Sequence, residues 1–211
     1  VSKIISVSLW GNNDRYLIGA IKNADLAMKL FPGWEYRVYL GNKTPNAVKQ
    51  ELLSRQNTKI VDVDEGAAEY GMFWRFRAGW ENNEAVIFRD ADSRLSEKEV
   101  YCVNDWLNQS EKYCIIRDHP RHFDFPIMGG MWGVKGNIDA IKEHVSRYDR
   151  IKQYTIDQVW LADIVWPYAS VNSKIYQIND GSYFASLRKP TDLDFIGQGY
   201  EFDDKPIYPS T

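Results

Sequence analysis

The feature that most constrains the fold is alternation. Short β-branched runs bounded by turns are followed by segments whose apolar residues recur at helical spacing. KIISVSL (3–9) predicts a first strand. Residues 14–31 then place Leu17, Ala20, Ile21, Ala24, Ala27, Met28 and Phe31 on one helical face, and Pro32-Gly33 stops the helix. YRVYL (36–40), KIVDV (59–63), AVIFR (85–89), KYCIIR (112–117), IMGGMWGVK (127–135) and SKIYQI (173–178) predict further strands, with AVIFR, the most apolar, at the centre. Between them, Thr44 is the expected N-cap of a helix with Pro45 at its first position. Ser96 with Glu99 forms a capping box for a helix to about Leu107. Asn137 is the expected cap of a helix carrying Ile138, Ile141, Val145 and Tyr148. Thr155 with Gln158 predicts a last helix that ends before Pro167. Strands alternating with helices define an α/β sheet.

The chain has 211 residues, 44% of them hydrophobic, which fits one domain with a sizeable core. The net charge of -3 gives no long-range attraction to nucleic acid or to an anionic membrane, so any anionic ligand must be held locally by a metal or a few arginines. The 8 Trp, 13 Tyr and 9 Phe supply core and, where exposed, flat platforms for sugar faces. Cys102 and Cys114 do not make a disulfide framework and are expected as reduced, buried thiols of a cytoplasmic protein. No stretch approaches the ~20 apolar residues of a membrane span. Residues 1–200 are expected to form the domain, with 201–211, ending DDKPIYPST, as a tail or the start of a linker to further domains.

The chemistry concentrates in FRDADSR (88–94). Asp90 and Asp92 follow an apolar strand, and ligands of open α/β sheets bind outside the carboxyl ends of strands. Two hard carboxylates at i, i+2 suit Mg²⁺ or Mn²⁺ bridged to substrate phosphates. An isolated D-x-D is more often a surface turn; the strand before it and the capped helix after it favour a metal site. A haloacid-dehalogenase-type phosphatase also places D-x-D at a strand end, but near the start of the chain and with a later acidic pair at another strand end. Here the adjacent acidic pair is Asp203-Asp204, in the tail. A carbohydrate-binding module without catalysis is a third reading.

FWRFRA (73–78), FRDADSR, IRDHPRH (116–122), IMGGMWGVKG (127–136), DQVWL (157–161) and DFIGQGY (194–200) occur in order. Together they resemble the small GT-A-fold glycosyltransferases of capsule, capsid and surface-glycan synthesis, over nearly the whole chain. The resemblance implies a GT-A-type (Rossmann-like) mixed central sheet flanked by helices. It implies a metal-dependent enzyme, retaining in its stereochemistry, that moves a hexose or deoxyhexose (glucose or rhamnose) from a UDP-sugar to a glycan acceptor on a glycoprotein. In a viral setting the location is the host cytoplasm.

By that resemblance Asp90 and Asp92 hold Mn²⁺ or Mg²⁺, with Asp180 as third ligand. The family's His-Asp pair reads Asn179-Asp180 here, and a turn residue before Gly181 is an equal reading of Asp180. Ser8, Leu9, Trp10, Gly11, Asp14 and Tyr16 lie where such enzymes cradle the nucleotide; Trp10 or Tyr16 stacks on the base or packs in the core. Ala91 belongs to the same donor site. Arg75 is expected on the diphosphate or donor hydroxyls, with Arg77 solvated. Gly129 and Gly130 let backbone approach the sugar. Asp157 is expected near the donor sugar as hydrogen-bond partner, base or charge stabiliser, and Gln158 lies beside it or serves only the cap. His119 contacts acceptor or shapes its loop; with His122 it lacks the partners of a zinc site.

Overall fold

The computed structural model describes residues 2–65, 71–187 and 195–207. Strands β1 (Lys3–Leu9), β2 (Glu35–Gly41), β3 (Thr58–Val63), β4 (Asn83–Phe88), β5 (Tyr113–Arg117), β6 (Trp132–Gly136) and β7 (Ser173–Gln177) form a sheet in the order β3-β2-β1-β4-β6-β5-β7. β3, β2, β1 and β4 run parallel, β6 is antiparallel to β4 and β5, and β7 is parallel to β5. AVIFR is central, as its apolar character predicts. After β1 the chain builds outward through β2 and β3, then returns to place β4 on the other side of β1. The carboxyl ends of β1 and β4 therefore flank a topological switch point.

Both faces of the sheet are covered, which is why its strands read as continuous apolar runs rather than as alternations. On one face α1 (Asp14–Leu30) and α3 (Glu97–Leu107) bury Leu17, Ala20, Ala24, Val103 and Trp106 against Ile5, Val7, Val38 and Ile87. Free Cys102 and Cys114 lie in this layer. α2 (Asn46–Leu53) adds Leu52. On the other face the 3-10 segment Gly71–Trp80 and α4 (Ile156–Trp160) bury an aromatic cluster: Phe76 stacks on Trp160 with centroids 5.2 Å apart, and Phe88 meets Trp132 at 4.3 Å. Among the described residues no helix is long and apolar enough to cross a membrane.

Two polar devices fix what the apolar layers cannot. Ser6 and Ser8 point from β1 toward the Gly71–Trp80 segment; the Ser6 hydroxyl donates to the Arg75 carbonyl at 2.7 Å, and the Arg75 N–H donates to Ser8 Oγ at 2.9 Å. Arg89 turns inward at the end of β4, ion-paired with Glu99 of α3, and donates to the carbonyls of Phe88 at 2.6 Å and Trp132 at 3.1 Å.

Several local expectations are revised. The helix after Thr44 starts at Asn46 with Pro45 as N-cap residue and no side-chain cap, and Thr44 instead belongs to a turn in which its N–H donates to the Gly41 carbonyl. Ser96 does cap α3, accepting from the Glu99 N–H at 3.3 Å, but Glu99 gives its carboxylate to Arg89, so the box is one-sided. Residues 127–131 form a turn before β6. The segment Asp139–Arg147 is 3-10 rather than α-helical and has no side-chain cap; the Ile138 N–H is drawn to the Gly79 carbonyl at 2.7 Å, which sets its entry. Thr155 has φ +70°, outside the extended range an N-cap needs, so its box with Gln158 does not form. Pro167 is accommodated rather than excluded: a π-helical turn (Leu161–Val165) links α4 to α5 (Trp166–Ala169), and the proline sits in the first turn of α5. α6 (Tyr183–Ser186) follows β7.

Arg89 and Glu99 are almost wholly buried. Removing one partner leaves a buried charge uncompensated, so Glu99→Ala is expected to cost about 3–5 kcal/mol in urea unfolding, whereas Arg89→Met with Glu99→Leu recovers most of that loss. Equal loss in the single and the double variant would show that packing, not the charge pair, holds β4 to α3.

Candidate active site

The turn after β4 is built from behind by α1. Gly19 lies where any Cβ would collide with the Ala91 carbonyl. Asn23, on the apolar face of the same helix and 2% exposed, donates from Nδ2 to the carbonyls of Ala91 (3.2 Å) and Ser93 (2.7 Å) and accepts the Leu95 N–H at 3.1 Å. One amide thus satisfies three backbone groups of the turn, while the Ser93 hydroxyl closes it onto the Asp90 carbonyl at 2.9 Å. Asn23 escapes sequence reasoning directed at charged residues. Its signal is a polar amide in the stripe of Ala20, Ala24 and Ala27.

The turn presents two carboxylates, and each meets a guanidinium. Arg75 Nη1 pairs with Asp90 Oδ1, and Arg75 Nη2 donates to Asp157 Oδ2 at 2.8 Å. Arg15, in the first turn of α1, donates to Asp92 Oδ2 from Nε at 2.8 Å and also from Nη2. The Asp90 side chain is 49% exposed, whereas those of Asp157 and Arg75 are each 6% exposed. Arg75 therefore joins an open carboxylate to a sealed one. Burial raises the Asp92 carboxyl above its usual range; the neighbouring charge of Asp90 adds to that and Arg15 opposes it. Burial likewise raises Asp157, opposed by Arg75 and reinforced by Asp90. Burial pulls the Arg75 guanidinium down, but Asp90 and Asp157 outweigh it and leave it raised. Three carboxylates against two guanidiniums leave one excess negative charge.

The glycines of MGGMWG have a specific cause. A Cβ at Gly129 would lie 2.5 Å from Arg75 Nη2 and closer still to the Asp157 carboxylate, and one at Gly130 would overlap the Asp90 carboxylate. The turn must be side-chain-free because the charged network presses on it.

The remaining sequence-expected residues divide. Leu9 is core, and the Ser8 hydroxyl is committed to Arg75's backbone. Trp10, 38% exposed, lies over Gly71 and meets Trp74 edge-on at 5.7 Å. Tyr16, also 38% exposed, lies under the Arg15 guanidinium at 5.2 Å, close to the acidic pair. Gly11 turns the chain with φ +74° and Asp14 is exposed at the start of α1. Gln158 lies next to Asp157, and its buried Oε1 lacks a hydrogen-bond partner among the described residues. Asp180 accepts the Ser182 N–H at 2.9 Å in a turn. Among the described residues no group of three or more His, Cys, Asp or Glu is arranged to hold a metal ion, so Asp180 does not join Asp90 and Asp92 in one cluster. Asp203 and Asp204 pair with Lys205 and with Lys22 and Arg94 on the surface, not at a strand end.

His119 and His122 bond within their loop. His119 Nδ1 accepts the Arg121 N–H at 3.2 Å, and its ring lies 4.4 Å from Phe195. His122 is buried and accepts the Asp118 N–H on Nδ1 at 3.0 Å; burial, then His119, pushes its pKa down to about 3. Asp118 is fully buried beside Lys98 (2.5 Å) and accepts the Ile196 N–H at 2.8 Å. That bond anchors the segment 195–207, which then crosses to the acidic turn: Gly199 bridges to Ser93 and the Tyr200 N–H donates to the Asp92 carbonyl at 2.9 Å. Of the tail expected at 201–211, residues 208–211 lie outside the described residues, as does Asp194 of DFIGQGY.

No family model matches the chain, and no curated protein matches it. Solved structures do. S. aureus TarS 1–349 is 13% identical with a TM-score of 0.57, covering 83% of this chain and 58% of its own. A glycosyltransferase involved in glycosylation of the major capsid of PBCV-1 is 11% identical with a TM-score of 0.52, covering 84% of this chain and 82% of its own. The 4-diphosphocytidyl-2C-methyl-D-erythritol synthase of Anaerococcus prevotii DSM 20548 is 13% identical with a TM-score of 0.51, covering 90% and 93%. At these identities the likeness is one of fold: the chain has the GT-A-type, Rossmann-like α/β architecture, and it spans 58% of the TarS chain.

Because His122 is held neutral, the unfolded chain binds its proton near pH 6.5 and the folded chain only near 3. Stability from this group is intact above pH 6.5 and is lost as pH falls toward 3, by up to about 1.4 kcal/mol per pH unit. His122→Asn keeps an acceptor for the Asp118 N–H without titrating. Urea midpoints from pH 7 to 4.5 should fall less steeply in that variant; parallel profiles would contradict the assignment.

Proposed function

We propose that the chain is a glycosyltransferase that uses a UDP-sugar donor and a divalent cation, Mn²⁺ or Mg²⁺, to transfer a hexose or deoxyhexose to a glycan acceptor. The observation that carries the reading is the acidic pair at the topological switch point, Asp90 half-exposed and Asp92 nearly buried, in a cluster with Asp157 that carries one excess negative charge. The residues fit such a cation. Asp92 is raised partly by Asp90's like charge, a repulsion that a cation at the pair relieves. Two carboxylates completed by substrate phosphates are a usual Mg²⁺ arrangement, and it needs no third protein ligand. The cation's contribution is to neutralise charge on the departing diphosphate. Likeness to a PBCV-1 capsid glycosyltransferase supports sugar transfer, and with it the capsid or surface-glycan setting.

The chain's own residues supply the rest. Arg75 keeps Asp90 and Asp157 at fixed separation, so the donor's diphosphate and sugar ends are held relative to one another. Asp157, nearly buried beneath the glycine turn, acts through its charge, which opposes the positive charge that develops at the anomeric carbon. Its Oδ2 is committed to Arg75, which suits stabilisation better than nucleophilic attack. In the retaining route the acceptor hydroxyl oxygen bonds the anomeric carbon on the face the diphosphate leaves. The bond from carbon to phosphate oxygen breaks, and the hydroxyl proton passes to the departing phosphate. Tyr16, exposed beside the acidic pair, and Trp10, exposed over Gly71, offer faces to the base.

A second reading, nucleotidyl transfer, is favoured by the coverage of the erythritol synthase likeness in both chains. Thermal unfolding separates the two. A UDP-sugar with Mn²⁺ at about 100 times Kd adds about 2.7 kcal/mol of stability, a shift of several degrees. Asp92→Ala should abolish that shift, weakening Mn²⁺-dependent UDP binding by more than the roughly 10–100-fold typical of lost outer-shell contacts. Stabilisation by CTP rather than by any UDP-sugar, with pyrophosphate release, would select the second reading.

A further inference from the structure

Arg15 has no part in the donor site as drawn so far, yet it holds one of its two acidic residues. Its geometry differs from that of the buried pairs elsewhere. Nε and Nη2 both address a single oxygen, Asp92 Oδ2. The Arg15 side chain is 29% exposed, whereas Arg89 and Glu99, in their structural pair, are 3% and 2% exposed. The guanidinium lies over the Tyr16 ring, and Gly199 packs across from it: a Cβ there would touch Arg15 Nη2 at 3.4 Å and Asp92 Oδ2 at 3.5 Å. Burial pulls Arg15 down, and Asp92, with a smaller contribution from Glu201, more than restores it.

Two cations cannot share this carboxylate cheaply. A divalent ion at Asp90 and Asp92 repels a guanidinium bonded to Asp92. A donor diphosphate brings new negative charge to the same place, and the planar fork of arginine matches phosphate oxygens better than it matches one carboxylate oxygen. Arg15 stands on a long flexible stem in the first turn of α1, so reorientation needs rotamer changes and no backbone movement.

We infer that Arg15 couples the two ligands of the donor site: it competes with a divalent cation for Asp92 and is redirected onto the phosphates of a nucleoside diphosphate when both arrive. This rests on the donor-site reading above. The cation alone then binds weakly, the diphosphate alone finds a site with excess negative charge, and together they bind cooperatively. Reciprocity requires each to strengthen the other by the same factor.

The test is binding, not turnover. Free Mn²⁺ is followed by electron paramagnetic resonance in titrations of the full chain, with and without UDP, and UDP binding is followed by calorimetry. Arg15→Gln should bind Mn²⁺ alone about tenfold more tightly than the unsubstituted protein, and the enhancement by UDP should shrink by about the same factor. UDP affinity in the presence of Mn²⁺ should fall. Arg15→Lys, which keeps the charge but not the fork, should lie between them, and it carries the comparison if Arg15→Gln does not fold. Unchanged or weaker Mn²⁺ binding in a folded Arg15 variant, or an undiminished UDP enhancement, overturns the inference. Failure of the unsubstituted protein to bind UDP with or without Mn²⁺ overturns the donor-site reading and the inference with it, and is seen before any substitution is made.

Discussion

The rest of the site depends on one buried guanidinium. Arg75 is held by its own backbone to Ser6 and Ser8 of β1, and by its side chain to Asp90 after β4 and to Asp157 in α4. These elements come from three separate stretches of chain. Ionised carboxylates so close to one another repel, and burial raises the cost further. The guanidinium is what permits Asp157 to be sealed while Asp90 stays open. The same demand explains the neighbouring turn: Gly129 and Gly130 are glycines because the Arg75 network occupies the space where side chains would stand.

Much of this was legible in the sequence, for a physical reason. β1, α1, β4 and α3 declare themselves because burial of one helical face leaves a period in the residues, and burial of both faces of a strand leaves a continuous apolar run. Asp90 and Asp92 declare themselves because two charges directly after an apolar run conflict with the strand before them. Arg75 and Asp157 entered through family resemblance, and the structure joins them. What failed was local chemistry overridden from a distance. Glu99 had the spacing of a capping partner but was claimed by Arg89, and Thr155 was expected as a cap yet adopts a left-handed backbone conformation. The expected strand over 127–135 forms only from Trp132, because Gly129 and Gly130 turn the chain against the carboxylates of Asp157 and Asp90.

The residues that sequence reading missed share a property. Asn23, Lys98 and Asp118 each have an ordinary local explanation, as a helix residue, a first-turn lysine and a loop aspartate. Their roles lie in partners 68 to 72 residues away for Asn23, 20 residues away for Lys98 with Asp118, and 78 residues away for Asp118 with Ile196. No single helix or strand contains both ends of such a bond. The segment 195–207 shows the consequence. Asp118 anchors it at one end, and it reaches the acidic turn through Gly199 and Tyr200. The backbone geometry of Asp92 is therefore set partly by the C-terminal part of the chain, which no reading of FRDADSR alone reveals.

Charge balance separates this network from the two ion pairs that hold α3 to the neighbouring strand ends. Arg89 with Glu99, both deeply buried, and Lys98 with the buried Asp118 set one cation against one anion. A fold that needed only rigidity at the end of β4 would be expected to do the same, since an unbalanced buried charge is costly. Asp90, Asp92 and Asp157 instead outnumber the guanidiniums bonded to them, and the imbalance is greatest where Asp90 opens to solvent. Burial and mutual repulsion together make the cluster a better acceptor of positive charge than its exposed counterparts on the surface. Excess negative charge on a rigid frame, with one carboxylate left accessible, is the condition under which a cation and the phosphates that accompany it gain most by binding.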